Sequence, residues 1–179
     1  MFFAANESFI DSLIPDGLVL SQSRVLYARG RIVTATLTSG PIHINSLQDL
    51  ANPKVRRVAI ANPAHAPYGL AAQQALEASG LWNVVQPRLV FGENVQQALQ
   101  FVRSGAVDAA IVARSIVEIP DLTWKLVDTK LHAPLNQMAA VITRTRQPAL
   151  ALAFLEFVNG VQGRWVMRQL GFLLPREHF

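Results

Sequence analysis

The sequence contains no cysteine, which excludes disulfide bonds, thiol catalysis and cysteine-ligated metal centres. It also has no apolar run near the roughly 20 residues that a helix needs to cross a bilayer. The first residues, 1–7, lack the basic segment with which a signal peptide begins. The chain as given is therefore predicted to carry no export signal, which would leave it in the cytoplasm if Met1 is the true start.

Charged residues are sparse, at 16% of the 179 residues, whereas hydrophobic residues make up 51%. This composition is typical of a folded globular protein, and the length suits one domain or two small lobes. The net charge is +4, but the arginines are scattered and no aromatic residues alternate with them. A nucleic-acid partner is therefore not predicted, because binding one requires a clustered basic surface.

Motifs for catalysis or metal binding are missing as well. The four histidines have neither the spacing of metal ligands nor paired carboxylates beside them: His43, His65, His132 and His178. Ser115 lacks the G-x-S-x-G surroundings of a nucleophile, and neither a Walker sequence nor G-x-G-x-x-G occurs. We therefore predict a protein that is not an enzyme, with no catalytic residue, no metal-cation ligand and no cofactor.

Hydrophobic patterning predicts strands that alternate with helices in the middle of the chain. Apolar runs at 58–61, 89–91 and 109–112 are predicted strands, and helices are predicted at 68–79 and from Val95 until Gly105 ends it. The second helix carries a stripe spaced i, i+3, i+4, i+7: Val95, Ala98, Leu99 and Val102. This alternation with short loops predicts an α/β fold with a parallel sheet.

The flanking segments predict further elements. Residues 1–5 are predicted to form a short buried strand, and the β-branched run 25–37 one long strand that crosses between lobes. Strands are also predicted at 124–127 and 137–142. Pro148 begins a predicted helix with a buried stripe: Ala151, Phe154, Leu155 and Val158. A last helix is predicted over residues 162–170.

Two strand-to-helix loops are the candidate binding site. The first is N-P-A-H-A-P-Y-G at residues 62–69, and the second is G-E-N-V at 92–95. Each begins a helix, where backbone N–H groups and the helix dipole favour an anion. Both loops follow strands of one predicted parallel sheet, at whose carboxyl edge ligands bind. We therefore expect the two helix N-termini to meet at one crevice, although each loop alone also fits an ordinary connection.

The residues of these loops favour a neutral-donor site. Pro67 is suited to a first helical position, and Gly69 would allow close approach of the backbone to a ligand. Neither loop contains lysine or arginine, which suits a symmetric dianion held by backbone donors alone. Glu93 would repel an anion and is expected to face solvent. His65 is interpreted as a residue at the rim of the candidate site.

The two loop motifs resemble those of the periplasmic molybdate-binding proteins of ABC importers. Further matches are Q-F-V-R-S-G at 100–105, A-P at 133–134 with Gln137, and L-G-F at 170–172. The first residues, M-F-F-A-A at 1–5, are similar to an internal D-x-F-x-S-A segment of that family. The likeness covers nearly the whole chain. It implies a type II periplasmic-binding-protein fold that holds an oxyanion between two lobes by hydrogen bonds alone.

The resemblance also implies which residues bind the oxyanion. The family's second lobe donates backbone N–H groups from positions that match Tyr68 and Val95. Gly69 and Asn94, next to them, are further candidates for binding the oxyanion. Some members add a tyrosine hydroxyl after the third strand, where this chain has Ala113. The ligand would be molybdate or tungstate, the partner a membrane permease, and the location the periplasm.

The resemblance further predicts one complete lobe with a parallel-rich sheet flanked by helices, at 35–142, and a remnant of the first lobe at 1–34 and 143–179. The family's first strand and hydroxyl-bearing loops would precede Met1. Without their donors we expect weak molybdate binding, because each charge-assisted hydrogen bond contributes about 1.5–3 kcal/mol. An uncovered first-lobe surface would favour self-association.

Two other interpretations stay open. A ligand-sensing effector domain of a LysR-like transcription regulator shares the fold, and G-A-V-D-A-A-I at 105–111 resembles a strand entry of that class. Within the binding proteins, sulfate or another anion could replace molybdate. The sequence does not distinguish molybdate from tungstate, since both are tetrahedral dianions of similar size.

Overall fold

A computed structural model describes residues 1–175 of the chain. His178, one of the histidines considered above, lies outside the described residues. The chain divides into two compact units: unit 1 comprises Met1–Gly30 with Leu135–Phe179, and unit 2 comprises Arg31–Pro134. The units divide at 30/31 and 134/135, four and eight residues before the lobe boundaries expected at 34/35 and 142/143.

The described residues form strands and helices with the following bounds. The strands are β1 (Phe2–Ala4), β2 (Val25–Gly30), β3 (Ile32–Leu37), β4 (Val58–Ala61), β5 (Leu89–Gly92), β6 (Ala109–Ala113), β7 (Leu122–Leu126) and β8 (Leu135–Ala140). The α-helices are α1 (Glu7–Asp11), α2 (Pro67–Ala78), α3 (Trp82–Val85), α4 (Val95–Arg103), α5 (Pro148–Asn159) and α6 (Val161–Gln169). None of these helices is long and apolar enough to span a bilayer.

Unit 1 is built on a three-stranded antiparallel sheet with the order β1-β8-β2. Alternate side chains of β8 point to opposite faces of the sheet. Met138 packs with Ile10 of α1 on one face, and Ala139 packs with Leu155 of α5 on the other. Because β8 is covered on both sides and paired along both edges, it is the centre of this unit.

Unit 2 contains a five-stranded sheet with the order β5-β4-β6-β3-β7. β4 lies parallel to β5 and β6, whereas β3 lies antiparallel to β6 and β7. The α/β prediction is confirmed, but the sheet is mixed. The reason is that only the segment from β4 to β6 has the strand–helix alternation that builds parallel neighbours.

Helix α4 covers one face of this sheet with the stripe that its sequence predicts. Ala98, Leu99 and Val102 are buried, and they pack with Val33 of β3 and Val112 of β6. Helix α2 contacts β4 and β6 and buries an apolar face of its own: Ala71, Ala72, Ala75 and Leu76. The core therefore fixes both helices against the strands that they follow.

Three predictions about the flanking elements are wrong. The run 25–37 is two strands, because β2 pairs with β8 and β3 with β6 and β7. β1 is not buried: as an edge strand with one neighbour, it leaves Phe2 and Phe3 each 37% exposed. In α5, Ala151 and Leu155 are buried as expected, but Phe154 is 44% exposed and contacts the ring of Phe3 instead.

Candidate functional site

The two loops predicted to bind an anion leave the sheet side by side. β4 and β5 pair in parallel with Ala61 opposite Gly92. Just beyond the last pair, the Asn62 N–H donates to the Gly92 carbonyl oxygen at 2.8 Å. The loops therefore start at the same edge of the sheet, where α2 and α4 also begin.

The first loop is a tight turn organised by Asn62. Its side-chain Oδ1 accepts a hydrogen bond from the Ala64 N–H at 3.0 Å, and its carbonyl oxygen accepts one from the Ala66 N–H at 2.9 Å. Pro67 then occupies the first position of α2, where the missing N–H of proline costs nothing. The chain thus turns from strand into helix within residues 62–66.

Gly69 packs against the strand that precedes α2. A Cβ on Gly69 would lie 2.1 Å from the carbonyl oxygen of Ala61, so the missing side chain lets α2 pack directly against the end of β4. The Gly69 N–H donates to the Ala66 carbonyl oxygen at 2.9 Å. Gly69 therefore positions the helix start, and its amide serves the first turn of α2.

Tyr68 is the second residue of α2 and is buried, with 8% of its surface exposed. It sits in the first turn, between the proline that begins the helix and the glycine that touches β4. A buried side chain anchors the turn, so the Tyr68 backbone is held in place at the helix N-terminus.

The second loop is capped by its own side chains. The Asn94 Oδ1 accepts from the Gln97 N–H at 2.9 Å, and the Gln97 Oε1 accepts from the Glu93 N–H at 2.6 Å. This reciprocal pair satisfies the Glu93 amide of the loop and the Gln97 amide in the first turn of α4, and it fixes the start of that helix. Asn94 is therefore the N-cap of α4, which gives its side chain a structural role.

Val95 is the first residue of α4 and half-buried against the core. An amide at this position has no carbonyl four residues earlier within the helix. The described residues also provide no other acceptor for the Val95 N–H. Val95 thus offers an oriented donor at the positive end of a nine-residue helix.

His65 and Glu93 connect the two loops. The His65 Nε2 lies 3.0 Å from the Glu93 carbonyl oxygen and 3.6 Å from the Glu93 Oε2. The Glu93 side chain is 81% exposed and the His65 side chain 49%. The prediction that Glu93 faces solvent is confirmed.

Arg114 is a charged residue that the sequence reasoning missed. It follows β6 directly, which ends at the same edge of the sheet as β4. Its guanidinium lies 4.1 Å from the ring centroid of Trp124 and pairs with Glu118 four residues later. In the sequence, the only indication of this residue was an arginine that directly follows an apolar strand. Because Glu118 pairs with the Arg114 guanidinium, Arg114 adds little net charge to this edge of the sheet.

A polar concavity elsewhere in unit 2 is explained by local structure. It has a volume of about 310 Å³ and is lined by residues from 41–55, including His43, Asp49 and Lys54. The Asp49 Oδ2 accepts from the N–H groups of Asn45 and Ser46 at 2.8 and 3.0 Å, and these bonds lower the pKa of Asp49. Asp49 thus caps the 3-10 helix Leu47–Ala51.

Residues 1–175 contain no cluster of three or more metal-binding side chains.

Comparison with protein families identifies the family of this chain. The model of the bacterial extracellular solute-binding protein family matches residues 1–173. The chain belongs to that family. A family of extracellular binding proteins is one of transport components, which favours the binding-protein interpretation over the transcription regulator.

Proteins that resemble the chain include molybdate-binding proteins. The molybdate-binding protein ModA of Azotobacter vinelandii is 30% identical over 177 residues, which are 96% of this chain and 69% of that protein. The ModA of Rhodobacter capsulatus is 27% identical over 175 residues, which are 97% of this chain and 68% of that protein. The solved periplasmic molybdate-binding protein of Azotobacter vinelandii superposes with a TM-score of 0.88 at 31% identity, covering 98% of this chain and 78% of that chain. The predicted resemblance and the type II binding-protein fold are confirmed.

Proposed function

We propose that this solute-binding protein is the substrate-binding component of a molybdate ABC importer. The observation that carries the proposal is the pairing of two helix N-termini, α2 and α4, at one edge of the sheet. The molybdate-binding relatives support the choice of ligand. Tungstate is a second ligand under this proposal, because it has the same shape and charge.

The oxyanion would be held by backbone amides of the two first turns. Val95 contributes an N–H that has no acceptor among the described residues, and Tyr68 is assigned from its match to the family motif and its place in α2. Amide donors and helix dipoles bind a dianion without exchanging a proton. Neither loop contains lysine or arginine, so discrimination between oxyanions would depend on size and donor geometry.

Gly69 and Asn94 would support the site by placing the two helix starts. Gly69 brings α2 against Ala61, and Asn94 caps α4. Both act on the position of a helix start. We therefore assign them as positioning residues beside Tyr68 and Val95.

Unit 2 would be the oxyanion-binding lobe and unit 1 part of the other lobe. Both candidate loops lie within Arg31–Pro134, which is close to the lobe expected at 35–142. The place of binding would be the periplasm, since the solved Azotobacter structure is that of a periplasmic molybdate-binding protein. The partner of the loaded protein would be a membrane permease. The protein would deliver its ligand unchanged, without catalysis.

Self-association through unit 1 is part of the proposal. Its described surface exposes large apolar side chains where β1 meets α5, which we call the aromatic face: Phe3, Phe154 and Phe157, with Leu150 one turn before Phe154. Within residues 1–175, β1 is an edge strand that pairs with β8 alone. Exposed apolar patches and open strand edges favour association, and a second copy of this chain is the proposed occupant.

Thermal unfolding with added anions tests the ligand. A ligand that binds only the folded state raises the midpoint in proportion to the logarithm of its concentration above Kd. Molybdate and tungstate are expected to raise the midpoint at concentrations where sulfate and phosphate do not. Equal shifts with all four anions, or a shift with sulfate alone, would overturn molybdate as the substrate.

A further inference from the structure

His65 forms a hydrogen bond that joins the two loops beyond the sheet. Its Nε2 lies 3.0 Å from the Glu93 carbonyl oxygen. A carbonyl oxygen can only accept, so the Nε2 atom must carry the hydrogen. The bond therefore runs from the loop before α2 to the backbone of the loop before α4.

We infer that His65 is a positioning residue that sets the two helix N-termini at the spacing an oxyanion requires. Glu93 lies two residues before Val95, and His65 lies three residues before Tyr68. A bond between them fixes both first turns to one another. The inference rests on the proposed function, since it assigns His65 a role in the same site.

Few other bonds hold the loops together. In the described part of the chain, the Asn62 N–H to the Gly92 carbonyl oxygen continues the sheet, and the His65 bond lies past it. The remaining polar contacts of the second loop are internal: Glu93 N–H bonds to Gln97, and Gln97 N–H bonds to Asn94. Without His65, the second loop would be tied to the first only where the strands end.

The carboxylate of Glu93 is a poorer explanation for the contact. Its Oε2 lies 3.6 Å from the His65 Nε2, and its side chain is 81% exposed. Exposed ion pairs contribute little, because solvent and salt screen them. The hydrogen bond to the backbone oxygen is the contact that orders the loop.

Two substitutions at His65 separate hydrogen bonding from side-chain volume. His65→Met removes the donor and keeps a side chain of similar size, whereas His65→Gln keeps an N–H donor at a comparable reach. By titration calorimetry, His65→Met is expected to weaken molybdate binding about fivefold to tenfold, as the loss of one hydrogen bond does. His65→Gln is expected to restore most of the affinity. Equal affinity of both variants would overturn the inference.

Control variants test the alternatives. Glu93→Gln removes the carboxylate contact and leaves the carbonyl bond, so its affinity is expected not to fall; a loss as large as that of His65→Met would mean that the ion pair is responsible. His43→Met, at an exposed histidine beside the 41–55 concavity, is expected to have no effect on binding.

Hydrogen exchange provides a measurement that needs no ligand. In His65→Met the amides of residues 93–97 are expected to exchange faster than in the unmodified protein, and in His65→Gln they are expected not to. If the unmodified protein binds none of the four anions, the proposed function fails, and the exchange data still decide whether His65 orders the loop. Unchanged exchange in His65→Met would overturn that role.

Discussion

The backbone N–H of Asn62 bonds to the carbonyl oxygen of Gly92 at 2.8 Å. This bond extends the parallel pairing of β4 and β5 by one step and then ends it. Because both chains turn into helices immediately afterwards, the register of two strands determines where two helix N-termini lie. The candidate site therefore depends first on sheet pairing, to which the His65 hydrogen bond adds a link beyond the strands.

The Val95 amide can be removed with little change to the fold. Proline is favoured at the first position of a helix, and Asn94 has φ −151° and ψ 174°, the extended conformation that precedes proline readily. Val95→Pro therefore deletes one N–H and retains the helix. We expect it to weaken molybdate binding by about ten- to a hundredfold, the effect of one charge-assisted hydrogen bond, measured by calorimetry.

Val95→Ala is the matched control for that substitution. It also loses packing of the valine side chain against the core, but it keeps the amide. We expect its affinity to stay close to that of the unmodified protein. Similar losses in both variants would show that packing, and not the N–H, is what the ligand requires.

The contact of Gly69 with Ala61 gives a second prediction. Gly69→Ala would place a Cβ 2.1 Å from the Ala61 carbonyl oxygen, which is backbone and cannot move aside. Overpacking of this kind costs about 1–3 kcal/mol, which lowers the melting temperature of a chain this size by about 2–12 °C. Leu70→Ala, at an exposed position in the same turn, is expected to cost less. Circular dichroism melts of the two variants make the comparison.

Local patterns in the sequence predicted the centre of unit 2 well. β4 begins and ends as expected, and the α4 stripe is buried at Ala98, Leu99 and Val102. Apolar period and flanking turn residues are sufficient for such elements, because each is completed by its immediate neighbours. The adjacency of the two loops also followed from the order of strands in a parallel sheet.

Features that depend on distant partners could not be predicted in this way. The run 25–37 is continuous in β-branched residues, yet it changes partners after Gly30. Arg114 reaches Trp124 across the neighbouring β3, and no pattern around Arg114 indicates that contact. The bond from His65 to Glu93 likewise joins residues 28 apart. Such contacts arise only once the sheet has brought the segments together.

The Asp49 cap predicts a pH dependence of stability. Hydrogen bonds from Asn45 and Ser46 lower the pKa of this carboxyl in the folded state. The stabilisation is therefore fully present above the unfolded pKa, about 3.9, and is lost as the pH falls through the lower folded pKa. Asp49→Asn removes the charge at all pH values.

Melts of the unmodified protein and of Asp49→Asn test this dependence. At pH 7 we expect the variant to be less stable by about 1 kcal/mol, the usual contribution of a cap. The difference should shrink as the pH falls below about 4, because the unmodified carboxyl then becomes protonated too. A difference that is constant between pH 7 and pH 3 would contradict the role of the charge.

The aromatic face of unit 1 gives the last prediction. Phe154 and Phe157 are 44% and 52% exposed, and their ring centroids are 6.2 Å apart. Burial of such apolar surface in a contact between two copies is favourable by about 25 cal/mol per Å². We expect the protein to form dimers or larger species at micromolar concentration in light scattering after size exclusion.

Phe157→Lys places a charge on this face and is expected to shift the equilibrium to monomers without lowering the melting temperature by more than a few degrees. Glu156→Lys, on the preceding exposed residue of α5, adds positive charge while both phenylalanines stay in place. If it dissociates the protein equally, net charge and not the aromatic face controls association.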